Sequence, residues 1–230
     1  MITPLSKQQL ILPSHSKNFH NSANYFKSPP NIVPATAAPV TMSCWMYFDE
    51  LLDNDYFACG LLNSSSFSIK NQVVLLRYNN VLKFRIGGPL GSYTIDASPG
   101  ISTFSWSHIA VTFDSNGDVK IYVDGKNSAH GNTSKVPVNI NRFCIGYMDN
   151  TYSLAVPRYY WPGKLSDIAC WDTVLSDEQI RDLGNGVRPN LIQRGKLVAY
   201  LPSCDFDIVG NTTNLELYRF VFSNVIIFVS

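Results

Sequence analysis

The chain has 230 residues, of which 13% are aromatic and only 15% charged, too much packing material and too little charge for a disordered protein. Its 18 Lys and Arg balance 17 Asp and Glu without any basic run, so a field that would steer it onto phosphates is missing and nucleic acid is not an expected partner. The length suits one large all-β domain with a sizeable core.

The N-terminus, Met1 to Lys7, has neither a basic segment nor an apolar run, so no signal peptide is read there, and residues 1–20 are taken as an N-terminal extension. Strand-length apolar stretches then follow at Ala23 to Lys27, Val40 to Phe48, Tyr56 to Leu62, Val73 to Tyr78, Val81 to Ile86 and Ser92 to Asp96, each bounded by turn formers. The clearest unit is Trp106-Ser-His-Ile-Ala-Val-Thr-Phe113, a five-residue loop Asp114-Ser-Asn-Gly-Asp118, and Val119-Lys-Ile-Tyr-Val-Asp-Gly125, which predicts a hairpin. In its second strand Val119, Ile121 and Val123 alternate with Lys120, Tyr122 and Asp124, the pattern of one buried and one solvated face. Leu165 to Trp171 reads as another strand. The one helix signal is Ser176-Asp-Glu-Gln179, where Ser176 caps the first turn, Gln179 reaches back, and Leu183-Gly184 ends a short element. A last sandwich strand is read at Lys196 to Leu201. Beyond it, Leu217 to Val229 is β-prone and carries a single charged residue; it is expected to be buried, as a strand closing the sandwich or against a partner. Its apolar stretch near Val225 is too short to span a bilayer, so membrane insertion is not expected. The reading is residues 1–20 as extension, 21–217 as the domain and 218–230 as the apolar strand.

Five cysteines, Cys44, Cys59, Cys144, Cys170 and Cys204, make an odd count with no C-x-x-C pair. This pattern argues against a disulfide framework and against zinc, and the thiols are read as reduced core residues.

Four segments in order carry a resemblance: Trp106-Ser-His-Ile-Ala-Val-Thr-Phe113, Ile121-Tyr-Val-Asp-Gly-Lys126, Cys144-Ile-Gly-Tyr147, and Trp161-Pro-Gly-Lys-Leu-Ser-Asp-Ile-Ala-Cys-Trp171 running on to Ile180. From about Tyr25 to Leu215 the chain resembles the laminin-G-like branch of the concanavalin A-like lectin and glucanase superfamily. Gly186 to Ile192 and the segments after it resemble modules encoded by tailed bacteriophages. The resemblance implies an all-β fold, a two-sheet antiparallel jelly-roll sandwich with one short helix, whose first strand near Asn24 to Phe26 pairs close to the strand ending at Tyr200.

Glucanases of this superfamily set alternating carboxylates on one strand, because a retaining hydrolase needs two about 5 Å apart; that pattern is absent, so no enzyme and no catalytic residue is expected. Ser107 and His108 cannot pair, since strand neighbours point to opposite faces, and the resemblance implies a structural role for His108. No cofactor is required. Calcium, which lectin-like relatives carry at a loop rim, would need converging oxygens such as those of Asp53, Asp55, Asp149 and Asn150; the competing reading is that these side chains satisfy their own turns. Tyr159, Tyr160 and Trp161 form the candidate ligand platform, because such rings stack on sugar faces while their polar edges stay wet. The competing reading is that they pack beneath the loop from Asp149 to Arg158.

The function expected is therefore a non-enzymatic surface-binding module, a structural protein of a phage virion in capsid decoration or fibre-associated adhesion, with a carbohydrate-binding lectin module as the alternative. Its expected partners are other virion proteins or a cell-surface glycan, in a homo-oligomer. Its expected location is the virion surface, after synthesis in the host cytoplasm.

Overall fold

The computed structural model describes residues 17–18, 26–27, 38–48, 56–63, 71–78, 81–98, 100–146, 161–201, 221–222 and 225–226. Period-2 alternation of β-branched and aromatic residues sets the strands. They are β1 (Lys17–Asn18), β2 (Phe26–Lys27), β3 (Val40–Phe48), β4 (Tyr56–Leu62), β5 (Gln72–Tyr78), β6 (Val81–Gly88), β7 (Gly91–Asp96), β8 (Trp106–Phe113), β9 (Asp118–Val123), β10 (Lys126–Asn132), β11 (Arg142–Ile145), β12 (Gly163–Trp171), β13 (Leu197–Leu201), β14 (Val221–Phe222) and β15 (Val225–Ile226), with helix α1 (Asp177–Gly184) between β12 and β13.

One sheet runs β1-β12-β3-β8-β9-β10, with β13 also on β12; the facing sheet runs β2-β11-β4-β5-β6-β7. Every pairing is antiparallel. The fold is thus an all-β jelly-roll sandwich with one short helix. The pair β14 and β15 forms a hydrogen-bonded ladder of its own, with β14 lying against β13. No helix among the described residues is long and apolar enough to cross a membrane.

The core lies between the sheets. Met42, Cys44, Met46 and Phe48 of β3 and Ile109, Val111 and Phe113 of β8 share one cluster with Val73, Leu75, Leu82, Phe84 and Ile86 of the other sheet, and all are nearly solvent-free. Val119, Ile121 and Val123 join this cluster, as their alternation predicts. The opposite face of β9 departs from prediction: Tyr122 is 2% exposed because α1 covers it. Ile180 and Leu183 of the helix pack on Ala110, Tyr122, Ala169 and Trp171. The Tyr122 hydroxyl donates to Asp177 Oδ1 (2.7 Å), and the Trp171 indole donates to the Ile192 carbonyl (2.9 Å). The close approach needs glycine: a Cβ on Gly184 would lie 2.7 Å from the backbone nitrogen of Gly125, itself in the left-handed region at φ +74°.

The capping box is present as predicted, Gln179 N–H donating to Ser176 Oγ (3.2 Å) and Ser176 N–H to Gln179 Oε1 (3.0 Å). Ser176→Ala is expected to destabilise the fold by ~1 kcal/mol, read as a lower urea midpoint at unchanged slope.

Strand β2 corrects the expected pairing of the first strand. It pairs with β11, Ile145 opposite Phe26, in the other sheet from β13. The edge of β12 beyond β3 is filled by β13 along one half and β1 along the other. Two further strands, β10 and β11, escape the alternation rule: Lys126–Asn132 is largely polar, and Arg142–Ile145 is only four residues long.

Candidate functional site

Of the residues singled out in the sequence, Asp53, Asp55, Asp149, Asn150, Tyr159 and Tyr160 lie outside the described residues. Trp161 is described, and it corrects the platform reading. It is 0% exposed and meets Phe48 edge-on at 5.3 Å between centroids. The Arg77 guanidinium lies 3.5 Å from the centre of the same Phe48 ring. A ring that stacks on a ligand must present a face to solvent; Trp161 presents none and belongs to the core. Segment 49–55 leaves β3 at Phe48, and segment 147–160 rejoins the chain at Trp161; since Phe48 pairs with Gly163, both attach at the same end of the sandwich.

Among the described residues no group of three His, Cys, Asp or Glu side chains is placed to hold a metal ion. Ser107 faces the core opposite Met46, whereas His108 lies on the outer face opposite Trp45. The partner of His108 comes from another strand: its Nε2 lies 2.8 Å from Ser43 Oγ. With the side chain 1% exposed, burial pushes the imidazole down to about 3. Among the described residues no carboxylate orients the ring, and a neutral, buried histidine of this kind braces a sheet. The four described cysteines are buried and form no disulfide, and burial with the neighbouring Cys59 pushes the Cys44 thiol up, away from a reactive thiolate.

What the fold does build at the end of the sheet away from α1 is an aromatic shelf. The outward positions of β3 run Thr41, Ser43, Trp45, Tyr47; the first two rows meet Trp171, Ala169 and Ala110 near the helix, and the last two lie beyond it. Tyr47 sits between Lys164 of β12 and Trp106 of β8. The Tyr47 and Trp106 rings are 5.6 Å apart, inclined by 56°, and the Lys164 ammonium lies 5.3 Å from the Tyr47 ring centre. All three side chains are half-buried. In the adjacent row of the same face Trp45 meets His108 edge-on at 5.4 Å, and Asp124 Oδ1 accepts the His108 backbone N–H (3.0 Å), so the side of the shelf toward the helix is braced.

Phe104 flanks the shelf. It is 62% exposed, at φ +58°, and its N–H donates to the Phe48 carbonyl (2.7 Å). A left-handed conformation in a bulky residue costs ~1–2 kcal/mol, and such strain gathers where a surface is used. The outward face of the other sheet offers less. Its centre, Phe57, Val74 and Cys144, is at most 2% exposed, and its Lys83 is paired with Asp96 at 2.8 Å.

The shelf has a sequence signal that alternation alone under-reads. In Cys44-Trp-Met-Tyr-Phe48 both parities are large, so both faces of the strand are occupied, one by the core and one by Trp45 and Tyr47.

Residues 20–181 match the model of the Laminin_G_3 family, described as the concanavalin A-like lectin/glucanases superfamily. Over 170 residues the chain is 29% identical to the rat (Rattus norvegicus) sushi, von Willebrand factor type A, EGF and pentraxin domain-containing protein 1. That match takes in 72% of this chain and 4% of the relative, so the chain spans a small part of that protein's length. In structure it is similar to a Bacteroides ovatus protein provisionally described as carbohydrate-binding, with TM-score 0.59 and 20% identity over 81% of this chain and 50% of that one. It is similar also to domain 4 of a Geobacillus stearothermophilus GH43 extracellular arabinanase, solved with arabinotriose, with TM-score 0.51 and 20% identity over 69% and 71% of the two chains. At these identities the shared property is the fold.

Proposed function

Because the chain belongs to the Laminin_G_3 family of the concanavalin A-like lectin/glucanases superfamily, we propose that it is a non-enzymatic carbohydrate-binding module that takes a saccharide on the Tyr47–Trp106 shelf. The observation that carries this reading is the pair of half-buried rings 5.6 Å apart on the outward face, beside the braced row of Trp45 and His108. Trp and Tyr give a sugar an apolar face to lie on and a polar edge to hydrogen-bond, with little side-chain entropy to lose. The arabinotriose-bound arabinanase domain shares the fold and supports a sugar as the ligand class. The two carboxylates beside the shelf, Asp124 and Asp167, accept hydrogen bonds from His108 N–H and from the Tyr200 hydroxyl, which leaves them poorly placed as an acid and base pair.

Trp106→Ala is expected to weaken saccharide binding at least about tenfold, ~1.4 kcal/mol or more, with the thermal unfolding midpoint nearly unchanged. A glycan array screened with both proteins, arabinotriose included, provides the test; binding that survives the substitution would place the site elsewhere. Repeating the screen with a chelator tests calcium at Asp53, Asp55, Asp149 and Asn150, since removal of a required ion abolishes binding.

The virion role rests on the motif resemblance at Gly186 to Ile192, and neither the fold nor the matched relatives add to it; the saccharide reading takes precedence on the strength of the shelf.

A further inference from the structure

Resting on the saccharide reading, we propose that the shelf selects sugars that carry an anionic group, a carboxylate or a sulfate. The row Lys164, Tyr47, Trp106 offers a cation, a phenol and an indole N–H, which are donors or a positive charge. No carboxylate among the described residues pairs with Lys164, whose recorded contact is with the Tyr47 ring. Among the described residues Lys83 pairs with Asp96, Lys120 with Asp177, Lys196 with Asp172 and Lys135 with the Leu90 carbonyl, whereas the exposed Lys126 lies away from the shelf at the start of β10.

The acidic groups nearest in the sheet are already engaged by hydrogen bonds within it. Asp167 Oδ1 accepts from the Tyr200 hydroxyl (2.7 Å) and its Oδ2 from Ser166 Oγ (3.3 Å), while Asp124 Oδ1 accepts from His108 N–H (3.0 Å). Among the described residues the Lys164 ammonium is therefore the charge that the shelf shows a ligand. Lys164 and Trp106 stand two strand spacings apart, about 10 Å, so a sugar ring stacked on Trp106 and Tyr47 brings its own or its neighbour's anionic substituent to Lys164. A charge-assisted hydrogen bond there would discriminate acidic from neutral sugars by roughly tenfold.

The test is affinity electrophoresis of the full chain through gels containing polygalacturonate, its methyl ester, dextran sulfate or dextran. The wild-type protein should be retarded about tenfold more strongly by at least one acidic polymer than by its neutral counterpart. Retardation by polygalacturonate alone names a carboxylate, and by dextran sulfate alone a sulfate. Lys164→Ala should erase the difference between acidic and neutral polymers, and Lys164→Arg should restore it. Equal retardation by acidic and neutral polymers, lost in Trp106→Ala, would overturn the charge selection and leave the shelf standing. A preference that persists in Lys164→Ala would assign it to other surface charge and overturn the proposal. Retardation indifferent to Trp106→Ala would overturn the shelf itself.

Discussion

Replacing Trp161 with alanine is expected to destabilise the protein by ~3–5 kcal/mol while the affinity of the folded fraction for saccharide stays within about twofold. The indole is 0% exposed and edge-on to Phe48, and its backbone N–H donates to the Gly146 carbonyl (3.0 Å). Removing the ring opens a cavity beside Phe48, on which Tyr56 also packs at 5.7 Å and over which the Arg77 guanidinium is held. Domains of this size hold roughly 5–15 kcal/mol of stability in all, so the loss should be plain as a fall in urea midpoint. Trp161→Phe should cost far less, ~1–1.5 kcal/mol, because the ring contact survives and the lost indole N–H has no acceptor among the described residues. A ring that stacks on ligand would behave in reverse, with stability preserved and affinity lost. That outcome would return Trp161 to the binding surface and undo its place in the core.

Local chemistry was readable from the chain wherever one segment contains the whole signal. The hairpin of β8 and β9 and the capping box at Ser176 are complete within short stretches, and the structure has both. Opposed facing of Ser107 and His108 likewise follows from strand periodicity alone. What the chain conceals is register. Ser43 is the partner of His108 at a separation of 65 residues, and nothing in either segment specifies which strand lies beside which. The shelf is concealed for the same reason: Tyr47, Trp106 and Lys164 come from three strands and become one surface only when β3 is placed between β8 and β12. A one-residue slip would turn every side chain of that row into the core.

For Trp161 the platform reading failed in a different way, and the competing reading of core packing holds there. Aromatic composition at Tyr159 to Trp161 says that rings are present, and burial decides whether a ring is a surface or a support. Trp161 is followed by Pro162 and Gly163, which bring the chain onto Phe48 at the sheet end, a place where a large ring fills the mouth of the sandwich. The expected pairing of the first strand came with the family resemblance rather than from the residues. It failed because β13 and β1 divide one edge of β12 while β2 completes the facing sheet.

Acid should unfold this protein earlier than its carboxylates alone would, and His108 should be the reason. In the fold its imidazole is pushed from 6.5 down to about 3 by burial. One nitrogen is within 2.8 Å of Ser43 Oγ, and Nδ1 has no partner among the described residues, so a second proton would be a buried charge with no acceptor. In the unfolded chain the same side chain takes a proton near its ordinary value of 6.5. Between the two values the unfolded state binds more protons, so stability is fully present above pH 6.5 and is lost as pH falls toward 3. At 1.36 kcal/mol per unit, the loss is ~2 kcal/mol by pH 5 and roughly 5 kcal/mol by pH 3. Urea unfolding measured at intervals from pH 7 to 4.5 isolates this histidine, because most carboxylates titrate lower. His108→Gln should be less stable than wild type at pH 7, having lost the fit to Ser43 and Trp45, yet its stability should fall less steeply across that range, by close to one proton. The exposed His130 and the other histidines remain in both proteins and cancel in the comparison. Parallel curves for the two proteins would mean that His108 accepts its proton in the folded state, and the buried, braced row assigned to the side of the shelf would have to be given up.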